Sequence, residues 1–339
     1  MAKTVALIRG DGVGPELTAG LLKVLKAVAA PVEFIECEAG SEWWEKKKGD
    51  TLIPEATWEI LEDADACFKG PTVTPGGPHS PKSVAVSIRQ HFDLYANVRP
   101  IRTHPKTPRR LGDVDFLCVR ESTEGLYFGR EVWITDDIVV ALRRVSRGSC
   151  RRVAKSALEA AQARKWKTVV AIHKSNILKE SDGLFLEETR AAAKKFPSIT
   201  LEEMHIDNAA QQVVKNPAQF NQKVLLSTNL FMDILSEECS ALVGSIGLIP
   251  SANYGDTYAM FEPAHGAAPK YKGQDKANPT GTILAGAMLL DYLKLSKLAR
   301  EIEAATEKTI ADGVVTYDLN GSARASQMAE TIAARLSRK

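Results

Sequence analysis

Short apolar runs alternate with segments of helical period along nearly the whole chain, and that alternation leaves few folds open. An apolar run of about four to eight residues suits one buried strand, whereas apolar positions recurring at three and four describe a helix with one buried face. Strands are expected at Thr4–Ile8, Val32–Glu36, Ala66–Phe68, Asp115–Val119, Val169–His173, Thr200–His205 and Lys223–Leu226. Helices are expected at Pro15–Ala29, Glu55–Glu62, Ser83–Phe92, Cys150–Arg164, Gly183–Phe196, Leu230–Leu242 and Gly281–Tyr292. The sum is an α/β protein. At 339 residues the chain exceeds one ordinary domain, so two are expected. The interval Gly244–Asn278, rich in glycine, proline and alanine and weakly periodic, reads as a long ordered loop at the boundary of two halves.

The net charge of +2 argues against nucleic acid or a membrane surface as the main partner. The basic run Arg143, Arg144, Arg147, Arg151 and Arg152 has no interleaved aromatics and reads as a solvated face. Five scattered cysteines without C-x-x-C spacing exclude a disulfide framework and a structural zinc site, and fit a reducing compartment. With no apolar stretch of about 18 residues and no leader pattern, a cytoplasmic location is expected.

Three groups of residues carry chemistry. Arg9-Gly10-Asp11-Gly12-Val13-Gly14-Pro15-Glu16 lies between a strand and a helix, where phosphate-binding turns occur, but its spacing is not that of a Rossmann fingerprint. Taken alone it is a plain tight turn more readily than a cofactor site. Arg89, Arg99 and Arg120 are forks suited to carboxylates, although any single one reads more readily as a surface ion pair. Tyr127, seven residues past Arg120, is a candidate proton donor. Lys174 ends a strand, where a lowered pKa would make it a base and full solvation would leave it idle. Asp233 and Glu237 are four apart on one helix face, with Asp207 after another strand. Like charges at that spacing repel unless neutralised, and a hard cation such as Mg²⁺ or Mn²⁺ would do so.

Together these stretches resemble the β-decarboxylating dehydrogenases of isocitrate, 3-isopropylmalate and homoisocitrate. The likeness spans essentially the whole chain. It rests on Gly10–Glu16, Asp93-Leu94-Tyr95-Ala96-Asn97-Val98-Arg99-Pro100, Arg120-Glu121-Ser122-Thr123-Glu124-Gly125-Leu126-Tyr127, Gly255-Asp256 and Glu262-Pro263-Ala264-His265-Gly266. The resemblance implies a two-domain fold that is not a Rossmann fold, with residues 1–97 plus 251–339 as the large nucleotide-binding domain. Residues 98–250 would form a small domain for dimerisation, metal and substrate. It implies a homodimer with a shared site, in which Lys174 and Asp207 come from the partner. Lys174 would remove the hydroxyl proton, Tyr127 would return a proton to carbon, and Asp207, Asp233 and Glu237 would hold the metal. Arg89, Arg99, Arg120 and Asn176 would bind a tricarboxylic acid. Glu237 stands where the family carries aspartate, and Met232 where it carries glycine, so direct or water-mediated ligation by Glu237 stays open. A non-catalytic regulatory subunit of a heteromeric enzyme is the alternative of another class.

Lys69 and Ser83 resemble the isocitrate branch, so isocitrate leads. Ala85 departs from that branch and Val86 suits homoisocitrate enzymes, so homoisocitrate follows, and 3-isopropylmalate is the remaining alternative. Lys270 and Tyr271, after His265 and Gly266, replace the aspartate and isoleucine of NAD-type relatives, and Tyr317 matches the NADP type. NADP is therefore expected, with NAD the alternative and with Asn278 and Asp318 near the adenine.

Overall fold

The computed structural model describes residues 3–47, 49–77, 80–109 and 111–337. Its strands are β1 (Lys3–Ile8), β2 (Val32–Cys37), β3 (Ala66–Lys69), β4 (Ala96–Arg102), β5 (Asp115–Glu121), β6 (Gly125–Thr135), β7 (Ile138–Arg144), β8 (Thr168–His173), β9 (Thr200–His205), β10 (Lys223–Ser227), β11 (Pro250–Tyr254) and β12 (Ala259–Pro263). The helices are α1 (Gly14–Ala27), α2 (Ser41–Lys47), α3 (Glu55–Asp63), α4 (Val84–His91), α5 (Arg147–Ala163), α6 (Ser181–Ala193), α7 (Ile206–Lys215), α8 (Asn229–Ser240), α9 (Thr280–Tyr292), α10 (Ser296–Ala311) and α11 (Ala325–Leu336).

Ten strands form one sheet in the order β2-β1-β3-β12-β11-β4-β5-β10-β8-β9, and β6 pairs with β7 as a separate hairpin. Neighbours are parallel from β2 to β12 and again from β5 to β9. The pairs β12–β11, β11–β4 and β4–β5 are antiparallel. Two parallel blocks therefore run in opposite directions, joined by β11 and β4, which is not the order of a Rossmann domain. Inner strands of the blocks are apolar on both faces, as Val224–Leu226 and Val169–Ile172 show, because helices cover them on both sides. Helix α9 packs against β11 and β12 and is apolar nearly all round, as a fully enclosed helix must be.

One face of the middle of the sheet is flanked by two packed groups. Leu61 of α3 and Ile88 of α4 pack with Ile8, Cys67 and Met260. On the other side Met232 and Leu235 of α8 and Val213 of α7 join a core containing Phe116, Cys118 and Leu225. The strands between them carry the polar residues described below.

The interval Gly244–Asn278 is not the loop its composition suggests. It contains β11 and β12, whose buried Ala252, Ala259, Met260 and Phe261 lie in the centre of the sheet. Buried Asn253, Ser251 and Glu262 interrupt the apolar pattern there and hide the strands. In the basic run on β7 and α5, Arg144, Arg147 and Arg151 are exposed, as expected of a solvated face, and Arg147 and Arg151 pair there with Glu188 at 2.7 and 2.9 Å, whereas the partly buried Arg143 pairs with Asp182 at 2.7 Å. All five cysteines are free, and four are buried. Among the described residues, no helix is long and apolar enough to cross a membrane.

Candidate active site

The glycine turn holds together two segments that line a cavity. Its amides are bonded internally: Asp11 to the Pro71 carbonyl at 2.8 Å, Val13 to that of Ala267 at 3.0 Å, and Gly12 to the Glu42 carboxylate at 3.0 Å. Gly10 has a φ of +83°, and a Cβ there would lie 2.2 Å from the Pro71 oxygen, so only glycine lets these backbones meet. The turn thus ties the segment after β3 to the segment after β12.

Those two segments face each other across a cavity of about 190 Å³. Lys69, Ser83, Arg89, Arg99, His265 and Gly266 all line it, which puts expected acid-binding and coenzyme-binding residues around one space. Lys69 and Arg89 are buried, and each lies 2.9 Å from the Glu262 carboxylate. Burial opposes ionisation of Glu262, but Lys69 and Arg89 outweigh it and hold its pKa far below the usual carboxylate range. Ser83 caps α4, accepting from the Val86 amide at 3.2 Å, and so sets the start of the helix that carries Arg89. The buried Arg89 Nε and His265 Nε2 have no partner among the described residues. Buried polar nitrogens on a cavity wall are the natural contacts of a polar ligand.

A second cluster adjoins the first. Arg120, at the end of β5, donates to Asn229 at 2.7 Å and to Asp233, and Tyr127 donates its hydroxyl proton to the same Asp233. The Arg120 guanidinium sits 4.7 Å from the Tyr127 ring centroid. Arg99 reaches Glu237 at 2.6 Å and stands 3.8 Å from Asp233. Asp233 and Glu237 therefore share a face of α8 as expected, but in this chain arginines neutralise them. Burial, then the Arg89 charge, lowers the Arg120 pKa to about 10, despite the opposing pull of Asp233. Such crowding of cations favours a polyanionic ligand. Burial and the bond to Asp233 raise the Tyr127 pKa, so its phenol keeps its proton at neutral pH.

Lys174 and Asp207 form a pair of their own. Their side chains meet at 2.8 Å at the ends of β8 and α7, and neither bonds to the Arg120–Tyr127–Asp233 cluster among the described residues. The Lys174 hydrogen bond holds the exposed Asp207 below the usual carboxylate range. Asn176 is exposed on the following turn and does not line the cavity. No trio of His, Cys, Asp or Glu able to hold a metal occurs within the described residues of one chain. The donor set nevertheless suits Mg²⁺ or Mn²⁺ in kind, because such ions take one or two carboxylates and complete their shell with water and substrate oxygens.

Beyond His265 the remaining expected coenzyme residues form a surface platform. The Tyr271 and Tyr317 rings lie 5.9 Å apart, with Lys270 Nζ 4.9 Å from the Tyr271 ring and Lys276 Nζ 5.6 Å from that of Tyr317. Asn278 donates to Asp318 at 3.0 Å. A platform of two phenols and two ammonium groups offers both stacking surface and positive charge. A cavity of about 300 Å³ behind the glycine turn is larger, but its Arg9 and Glu36 are paired with each other at 2.5 Å, and it contains none of these groups.

Glu262, Asn253 and Asn97 are the site residues that reasoning from sequence missed. Their signal was present: each is a polar residue inside a short strand-like stretch, and Glu262 opens a segment that ends in His265.

Comparison with known proteins bears on the family and the fold. The isocitrate/isopropylmalate dehydrogenase family model matches residues 4–334. The 3-isopropylmalate dehydrogenase of Methanothermobacter thermautotrophicus is 39% identical over 98% of both chains. The alpha subunit of human mitochondrial NAD isocitrate dehydrogenase is 38% identical, over 98% of this chain and 90% of that one. The crystal structure of isocitrate dehydrogenase from Methylococcus capsulatus superposes with a TM-score of 0.93 at 39% identity, over 99% of each chain. The chain belongs to the isocitrate/isopropylmalate dehydrogenase family.

Proposed function

We propose that the chain catalyses the NADP-linked, metal-dependent oxidative decarboxylation of isocitrate to 2-oxoglutarate, as a homodimer whose two sites each draw on both subunits. The observation that carries this reading is the single cavity lined by Lys69, Ser83, Arg89 and Arg99 on one side and His265 and Gly266 on the other. Lys69, Arg89, Arg99 and Arg120 would bind the carboxylates and turn the C2–H bond toward the nicotinamide. Lys174 of a second copy would take the hydroxyl proton as the hydride leaves C2. Loss of CO₂ leaves an electron pair on C3, and Tyr127, whose phenol is protonated, returns a proton there. Asp233, Glu237 and the second copy's Asp207 would hold a divalent cation, which when bound supplies Lewis acidity toward the 2-oxo group.

The hairpin β6–β7 supports the dimer. Trp133, Ile134 and Ile138 are 68%, 60% and 52% exposed on it, more apolar surface than a solvated hairpin carries. A second copy is the partner that would also bring Lys174 and Asp207 to the arginine cluster. The division into residues 1–97 plus 251–339 and residues 98–250 remains part of this proposal. Its two boundaries fall within β4 and at the start of β11, the strands that join the two blocks.

The test is reduction of NADP⁺ or NAD⁺ by purified protein with isocitrate, homoisocitrate or 3-isopropylmalate, in Mg²⁺ or Mn²⁺. Turnover of isocitrate with NADP⁺ is expected. Preference for another of the acids would replace isocitrate, and no turnover with any of them would favour a regulatory subunit.

A further inference from the structure

Two buried asparagines join the halves of the site. In the register of the sheet Asn97 of β4 lies opposite Asn253 of β11, and both are fully buried. Opposed residues share a face, as do residues two apart on one strand. Asn97 and Arg99 on β4 and Asn253 and Ser251 on β11 therefore form one polar patch. It continues to Glu262, which lies opposite Ser251, and to Arg120, which lies opposite Asn97.

The hydrogen bonds along this patch make a directed chain. Arg99 Nε donates to Asn97 Oδ1 at 3.1 Å. Asn97 Nδ2 donates to Asn253 Oδ1 at 2.9 Å and to Ser251 Oγ at 2.8 Å. Asn253 Nδ2 donates to Glu262 Oε1 at 2.9 Å. At one end, Glu262 holds Lys69 and Arg89. At the other end, Arg99 holds Glu237 and Ser236 of α8. Each asparagine uses its oxygen toward one neighbour and its amide nitrogen toward the next, so neither can flip without breaking both links.

We propose that Asn97 and Asn253 are positioning residues that lock the carboxylate grip on β3 and α4 in register with the acidic face of α8, so that one acid can be held from both sides. The inference rests on the function proposed above. Neither side chain lines the cavity; each acts through a charged neighbour that is itself fixed by it. A buried amide chain suits this task, because low polarity around it strengthens each bond and makes a broken link costly.

The experiment compares the intact protein with Asn97→Ala, Asn253→Ala and the double variant. Its readouts are KM, kcat and calorimetric binding of isocitrate. Each single variant is expected to raise KM and Kd about tenfold or more while kcat changes less than about threefold. The double variant should be no worse than the weaker single, because both substitutions cut one chain. Unchanged KM and Kd in folded variants, or fully additive losses, would overturn the proposal. Should the alanine variants fail to fold, Asn253→Asp conserves volume but turns a donor toward Glu262 into a repelling acceptor. Its loss of isocitrate binding is expected, and wild-type binding by it would equally overturn the proposal. Failure of the wild-type protein to bind or turn over any of the three acids would instead refute the proposed function, so the two failures are distinct.

Discussion

Lys69 and Arg89 meet on one carboxylate, each 2.9 Å from a different oxygen of Glu262. All three groups are buried, so the pair of cations is held in place by a single counter-charge. Removing one partner of a buried ion pair is strongly destabilising because the remaining charge is left uncompensated. Glu262→Gln is therefore expected to lower unfolding free energy by about 3 to 5 kcal/mol, read from urea denaturation at pH 7.

The same carboxylate gives a pH signature. Its folded pKa lies far below that of an unfolded chain, mainly because Lys69 and Arg89 outweigh the cost of burial. A depressed acid contributes stability above its unfolded pKa and loses it as pH falls toward its folded pKa. The stability difference between wild type and Glu262→Gln should therefore be constant above about pH 5 and shrink as pH falls below about 4. A difference that grew in acid would contradict the ion-pair assignment.

Tyr127 donates to Asp233, and its raised pKa keeps the phenol protonated through neutral pH. If it returns the proton to carbon, Tyr127→Phe should cut kcat by about 10² or more and leave KM within about threefold. Equal losses in both constants would mean that the tyrosine binds the substrate and does not transfer a proton.

Lys270 and Tyr271 stand beside Tyr317 on the surface platform proposed to take the coenzyme. A charge-assisted bond to a 2′-phosphate is worth roughly 1.5 to 3 kcal/mol, and an aspartate in its place adds repulsion. The variant Lys270→Asp with Tyr271→Ile should shift the ratio of kcat/KM for NADP⁺ over NAD⁺ toward NAD⁺ by about 100-fold. Wild-type protein that already favours NAD⁺ would remove the basis for this expectation.

The parallel blocks were legible in the sequence because their strands are continuous apolar runs, as in Val224–Leu226 and Val169–Ile172. The strands that build the site were not. Asn97, Arg99 and Pro100 break any apolar run in β4, and Ser251 and Asn253 do the same in β11. A strand that carries function on one face loses the pattern by which strands are recognised. The arginines and acids could be found individually by residue type, but their pairing could not. Arg99 with Glu237 and Lys69 with Glu262 are separated by more than a hundred residues, and only the fold brings them together. Glu262 stood in a motif of the resemblance but received no role, because a carboxylate inside a buried strand has meaning only once its two cations are seen.

Lys174 and Asp207 bond to each other at 2.8 Å, and neither bonds to Tyr127 among the described residues, so the last prediction concerns two chains. If each site takes Tyr127 from one subunit and Lys174 from the other, Lys174→Met and Tyr127→Phe homodimers should each be nearly inactive. Mixing and reassociating the two would create heterodimers in which one site carries both substitutions and the other carries neither. Random pairing makes about half of the dimers mixed, so activity should recover to about a quarter of wild type. Recovery is expected only when subunits exchange, which native mass spectrometry of the mixture would report. A mixture that exchanges subunits yet stays inactive would place Lys174 and Tyr127 in the same subunit's site and end the shared-site reading.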